Sequence, residues 1–229
     1  GLSLVGSEMC IRDSSVFGES LDISVVHNFV CPHHFDLPPN EEFRQELSSD
    51  GAPILCHISN FRPVKRVCDV VDMFHMVRSS RKAKLLMVGD GPDRQAAEER
   101  ARTHGIGEDV IFLGKVKNPI EALLISDLLV LPSETESFGL VALEAFAAGV
   151  PVVSSNTGGL PEVNLQDQTG RLRPVGDVAG MAQDALHILE ASVHPTFKEA
   201  ALKRAAEFQM ENIVPQYLAL YKKALQPST

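Results

Sequence analysis

The run LLVLPSETESFGLVALEAFAAGVPVVSS, residues 128–155, decides the fold. It opens on four apolar residues, Leu128 to Leu131, crosses a polar stretch from Pro132 to Ser137, and enters a segment in which Leu140, Val141, Leu143 and Phe146 lie close enough for a mostly apolar helix. Val152 to Ser154 then reads as a second strand. Strand, loop, helix and strand in that order make a βαβ crossover, and continuously apolar strands belong to a parallel sheet covered on both faces.

The alternation continues outward. Ile54 to Ile58, Lys84 to Val88 and Val110 to Leu113 read as strands upstream, and Gly170 to Arg173 as a weaker one downstream. Between the first two, Val64, Val67, Val70, Val71, Phe74 and Val77 recur at steps of three and four and lay one apolar stripe along a helix. Later helices are predicted to begin near Asp93, Asn118, Phe138 and Asp177, with Pro92 suited to the first turn of the earliest of them. The tail after Pro174 reads as helical, with Met181, Ala185, Ile188 and Leu189 on one apolar face and Ile213, Tyr217, Leu220 and Tyr221 on a later one. The pattern predicts an α/β fold, a Rossmann-like parallel sheet with helices on both faces.

Residues 15–53 break the pattern: a short run from Leu21 to Val26, then Asn28-Phe29-Val30, then a stretch rich in Pro, His and Asn that ends near Pro39-Asn40. This reads as an interdomain linker with a remnant of a preceding domain. Residues 1–14 show neither clean periodicity nor a basic leader before an apolar stretch, and they resemble a translated adapter, a non-native leader to a truncated frame. Residues 54–190 are left as the α/β domain and residues 191–229 as C-terminal helices.

Composition narrows the partners. The chain has 229 residues, 44% of them hydrophobic and 22% charged, a globular balance. No apolar run approaches the roughly 18 residues that a membrane span needs. A net charge of -9 argues against broad attraction to nucleic acid or anionic lipid, so any anionic ligand must be held by a local positive cluster. Cys10, Cys31, Cys56 and Cys68 lack C-x-x-C spacing, and Cys56 and Cys68 fall in a strand and a helix, which suits a reducing cytoplasm. Cys31, His33 and His34 read as a polar linker rather than a metal set, and no metal site or cofactor is expected.

Ligands of open α/β sheets bind beyond the carboxyl ends of the strands, and the polar clusters fall there. After the first strand comes Ser59-Asn60-Phe61-Arg62-Pro63-Val64-Lys65-Arg66. Arg62 and Lys65 are expected around a helix start, where cations oppose the dipole and call for a reason; a shared pyrophosphate supplies one. A solvated basic helix start is the plain alternative. After the fourth strand, Glu136 and Glu144 flank a helix start with seven residues between them. Either glutamate alone could complement the dipole or sit exposed, but Glu144 lies among apolar residues, where a carboxylate needs a partner. Ser154 to Glu162 carries a Gly158-Gly159 turn after the fifth strand, and Val88-Gly89-Asp90-Gly91-Pro92 a turn after the second, with Gly91 a candidate for close approach to a ligand. The G-x-G-x-x-G fingerprint is absent from the first strand, which lowers an NAD reading.

Taken in order, these clusters resemble the donor domain of the family 4 retaining glycosyltransferases, which have the two-domain GT-B fold, over about Asn28 to Glu190. The most specific part is Glu136 to Glu144 with Phe138-Gly139 between them, followed by Ala147-Ala148-Gly149-Val150-Pro151-Val152-Val153 and Gly158-Gly159-Leu160-Pro161-Glu162. The resemblance implies the C-terminal half of a GT-B fold, a retaining hexosyltransferase activity, a nucleotide-sugar donor, a small-molecule acceptor and an N-terminal partner domain. It implies that Glu144 binds the ribose hydroxyls and that Glu136 contacts the donor sugar with Ser137 and the backbone amides of Phe138, Gly139 and Leu140. It further implies that Arg62 and Lys65 hold the diphosphate, and that Lys115 and Val116 line the uracil. Asn60 stands where the commonest family pattern has an arginine. His57 to Arg66 resembles more particularly the members that move N-acetylglucosamine from UDP to the hydroxyl of L-malate in bacillithiol synthesis. Another acceptor, or a nucleotide-binding module without catalysis, is the competing reading; a homo-oligomer is compatible with each.

Overall fold

The computed structural model describes residues 25–225. The leader expected over residues 1–14 and most of the run from Leu21 to Val26 lie outside the described residues. Six strands form one parallel sheet: β1 (Ile54–Ile58), β2 (Lys84–Val88), β3 (Val110–Gly114), β4 (Leu128–Leu131), β5 (Val152–Ser155) and β6 (Gly170–Arg173), in the spatial order β3-β2-β1-β4-β5-β6. Every strand read from the sequence is present, with β3 and β5 one residue longer. Cys56 pairs with Leu86 on one side and Leu129 on the other, so β1 is central.

The helical stripe is realised in α2 (Val67–Ser80), following a short α1 (Glu41–Leu47). Val67, Val70, Val71, Phe74 and Val77 are fully buried against one face of the sheet. They share that layer with α3 (Arg94–Thr103), which buries Ala97 and Ala101, and with α7 (Val178–Ile188), which buries Met181, Ala185 and Ile188. The opposite face is covered by α4 (Ile120–Leu124), α5 (Leu140–Ala147), α6 (Leu160–Val163) and α8 (His194–Glu207). Fully burying one Val, Leu or Phe side chain contributes about 1.5–3 kcal/mol, so two such layers outweigh any single polar contact.

Three readings need correction. Val64 does not extend the α2 stripe: Pro63–Lys65 is a separate 3-10 turn, and Arg66 in the left-handed region at φ 50° turns the chain before α2 begins. Pro92 precedes α3, whose first residue is Arg94, because Pro92 and Asp93 form the turn that leads into it. In α9 (Met210–Ala224), Ile213 is buried and Tyr217 and Leu220 are half-buried, but Tyr221 is 59% exposed, so the expected apolar face is covered only along its first turns.

The segment read as a linker is packed on the domain. The Asn40 side chain accepts the Phe43 N–H at 3.0 Å and starts α1. Arg44 on that helix donates to the Asp127 carboxylate at 2.9 Å and to the Ile125 carbonyl, while Asp127 also accepts the Ile54 N–H at 2.8 Å. Upstream, Val30 is buried and donates its N–H to the Phe208 carbonyl. Hydrogen bonds to a charged group each contribute about 1.5–3 kcal/mol. Asp127→Ala is therefore expected to lower unfolding stability by about 2–3 kcal/mol in urea titration and to speed amide exchange in α1 and at Ile54 more than in β5.

Candidate functional site at the reversal of the sheet

From β1 the strand order runs one way through β2 and β3, and from β4 it runs the other way through β5 and β6. The chain segments leaving β1 and β4 must therefore part company, and a crevice opens at their carboxyl ends. Ser59 to Arg66 forms one wall and Pro132 to Gly139 the other. Two contacts tie them together. The Glu134 N–H donates to the Val64 carbonyl at 2.8 Å, and the Lys65 ammonium meets the Glu136 carboxylate at 2.5 Å, with only 21% and 18% of those side chains exposed. The two residues that the sequence assigned to different ligand groups thus stand side by side. Arg62, one turn earlier, is exposed.

The β1 segment is shaped by Phe61, which is fully buried although its φ is 40°, in the left-handed region a bulky residue rarely adopts. That conformation drops the ring into the core and leaves Asn60 and Arg62 on the surface. A Cβ on Gly91 would lie 2.1 Å from the Asn60 carbonyl oxygen, so the missing side chain makes room for this segment's backbone. Beneath it lies His57, which opens the His57–Arg66 run but carries no assigned role in the sequence. The imidazole is fully buried, with Nδ1 at 2.8 Å from the Val130 carbonyl and Nε2 at 2.8 Å from Ser59 Oγ. Burial, assisted by the nearby Lys65 charge, lowers its pKa to about 4, and the ring is neutral at pH 7. A titratable residue in an otherwise apolar strand, two places before a serine, was the signal available.

On the other wall, α5 begins after Gly139, and its first amides lack intrahelical acceptors, as in every helix. Phe138 is buried, Ser137 is exposed and Leu140 is 45% exposed. Glu144, in the second turn of α5, is half-buried with no side-chain hydrogen bond or ion pair among the described residues, and burial raises its pKa above the ordinary carboxylate range. The partner that its apolar surroundings demand is therefore not supplied by the described residues. Lys115 is exposed after β3, and Val116 lines a hollow of about 340 Å³ together with Leu113, Asn118 and Phe43 of α1.

The Gly158-Gly159 turn, read as a place where backbone nears a ligand, approaches the Glu136 wall instead. A Cβ on Gly158, whose φ is 54°, would lie 1.7 Å from the Glu136 carbonyl oxygen, and the Gly159 N–H donates to that same oxygen at 3.0 Å. The turn braces the Glu136 backbone. His33 and Asp36 form a surface contact at 3.4 Å, and among the described residues no group of three or more His, Cys, Asp or Glu is placed to hold a metal ion.

The family model for glycosyl transferases group 1 matches residues 39–207. The chain belongs to the group 1 glycosyl transferases. It is 42% identical over 208 residues to N-acetyl-alpha-D-glucosaminyl L-malate synthase of Bacillus anthracis, covering 90% of this chain and 55% of that protein. It is 29% identical to glycogen synthase of Mycobacterium tuberculosis, covering 98% and 56%. The chain spans about half the length of the curated relatives it matches. Sucrose-phosphate synthase from Thermosynechococcus elongatus superposes with a TM-score of 0.81 at 24% identity, over 97% of this chain and 58% of that one. Anabaena Alr3699/HepE in complex with UDP gives 0.86 at 20% identity, over 96% and 63%. These likenesses agree on the Rossmann-like architecture expected for half of a GT-B glycosyl transferase.

Gly158→Ala should push the Glu136 backbone aside. The expected loss is about 2–4 kcal/mol of stability in chemical denaturation, with chemical-shift changes centred on residues 134–138.

Proposed function

We propose that this chain is the donor-binding part of a retaining glycosyl transferase that holds a UDP-sugar in the crevice between β1 and β4. The observation that carries the reading is the Lys65–Glu136 pair, which brings a cation for phosphate and a carboxylate for sugar hydroxyls together where the sheet reverses. In this reading Arg62 and Lys65 hold the diphosphate, and the Phe138, Gly139 and Leu140 amides at the start of α5 face the developing charge. Glu136 and Ser137 hold the sugar, with Asn60 and Gly91 along its other side. Glu144 accepts from the ribose hydroxyls, and Lys115 and Val116 flank the base. A half-buried carboxylate with no partner among the described residues is what a ribose-binding glutamate requires before its ligand arrives.

The 42% identity to a protein named N-acetyl-alpha-D-glucosaminyl L-malate synthase supports N-acetylglucosamine as the sugar and L-malate as the acceptor. The acceptor would be bound by a preceding domain facing the crevice. In the transfer, the bond from the anomeric carbon to the departing phosphate oxygen breaks and a bond to the malate hydroxyl oxygen forms on the same face. The hydroxyl proton passes to the phosphate oxygen, so the diphosphate itself is the base and no nucleophilic side chain is needed. Fixed positive groups stabilise the charge left on the diphosphate, and one such group contributes roughly 3–4 kcal/mol to the transition state. No resident metal or cofactor enters this proposal, and a cytoplasmic setting with a soluble acceptor suits it.

Calorimetric titration with UDP-N-acetylglucosamine, against UDP-glucose and GDP-mannose, tests the donor; equal weak responses to all three would sink the assignment. Glu144→Ala is expected to weaken UDP binding about tenfold to a hundredfold, whereas unchanged affinity would leave Glu144 a surface residue. The pH dependence carries a sign. Ribose donors favour the ionised carboxylate, so UDP affinity should rise with pH through the Glu144 pKa, which burial raises, and Glu144→Gln should flatten the rise. In the active transferase, Lys65→Ala should lower turnover about a hundredfold to a thousandfold.

A further inference from the structure

We propose that His57 is a positioning residue for the diphosphate-binding cations: through Ser59 it fixes the backbone turn that carries Arg62 and Lys65. The inference rests on the donor-site reading above for its consequence, but its geometry stands by itself. His57 is the penultimate residue of β1 and is fully buried, so both ring nitrogens need partners. Nδ1 faces the Val130 carbonyl of β4, which can only accept, and so Nδ1 carries the proton and donates. Nε2 is then an acceptor, and Ser59 Oγ at 2.8 Å must donate its hydroxyl hydrogen to it. That leaves the Ser59 oxygen free to accept from the main chain, and the Phe61 N–H donates to it at 3.2 Å.

The hydrogen bonds therefore run in one sense, from the Phe61 amide through the Ser59 hydroxyl to Nε2, while Nδ1–H anchors the ring to β4. Phe61 is the residue held at φ 40°, and its own carbonyl accepts the Asp93 N–H at 3.0 Å. The turn that follows begins at Arg62, whose carbonyl accepts the Lys65 N–H at 2.8 Å. A left-handed bulky residue costs free energy and persists only where its surroundings over-determine it. Here the side chain is fixed by the core and the amide by the histidine relay. The same ring ties strand β4, through the Val130 carbonyl, to the segment that leads into the Arg62–Lys65 turn, through Ser59, at the strand ends where the sheet reverses.

The test uses Ser59→Ala, which removes the relay hydroxyl, Ser59→Thr, which keeps it, and His57→Leu, which removes the anchor. UDP and uridine are the probes, with affinities from calorimetry and NMR titration. Ser59→Ala and His57→Leu are expected to weaken UDP binding about tenfold while leaving uridine unchanged, and Ser59→Thr should restore UDP affinity. In the free protein, Ser59→Ala should speed exchange of the Phe61 amide and shift the amides from Phe61 to Lys65, with β2 and β5 unaffected. Wild-type UDP affinity in Ser59→Ala, equal losses for UDP and uridine, or an unchanged Phe61 amide would overturn the proposal. A wild-type chain that binds no UDP would overturn the donor reading instead, and the Phe61 exchange measurement would still decide the role of His57.

Discussion

The sheet reverses its winding between β1 and β4, and that single topological constraint organises everything at the carboxyl ends of the strands. A parallel strand that is central, as β1 is, must satisfy its backbone on both sides before the chain can leave. The segment after β1 departs toward α2 and the one after β4 toward α5, on opposite faces. What remains between them is a crevice bounded by Ser59 to Arg66 and Pro132 to Gly139. The walls are joined by one backbone hydrogen bond, Glu134 to Val64, and by the Lys65–Glu136 ion pair.

Rigidity in those walls comes from close backbone packing. Gly158 lies against the Glu136 carbonyl and Gly91 against that of Asn60, at separations no side chain would permit. Phe61 is held in a costly conformation by the core on one side and by a neutral histidine on the other. Such preorganisation matters for an anionic ligand on a chain of net charge -9, because the attraction must come from a few fixed groups rather than from the overall field. Glu144, in the second turn of α5, is half-buried, and burial raises the pKa of its carboxyl.

Much of this was legible in the sequence because it depends on local pattern. Apolar runs marked most of the strands, with Gly170 to Arg173 the weakest signal, and helical spacing marked the buried face of α2 from Val67 to Val77. The pairing of Lys65 with Glu136 was foreshadowed only as two separate clusters, since nothing local brings residues 71 positions apart into contact. The places that escaped are those where tertiary packing overrides local preference. Val64 continues the valine spacing but sits in the 3-10 turn Pro63–Lys65, separated from α2 by a left-handed Arg66. Gly158 reads as a glycine that lets backbone near a ligand, and its missing side chain makes room for the Glu136 carbonyl. α1 follows a polar, proline-rich stretch and is held by Arg44 and Asp127, an ion pair that no periodicity announces.

The most direct test of the account is to map UDP on the described residues by amide chemical-shift perturbation. The shifts are expected to concentrate at residues 59–66 and 134–144, on both sides of the crevice at once, and at residues 114–116. Shifts confined instead to the cavity lined by Thr169, Phe197, Lys203 and Arg204 would place the nucleotide elsewhere and contradict the assignment of the β1–β4 crevice as the donor site.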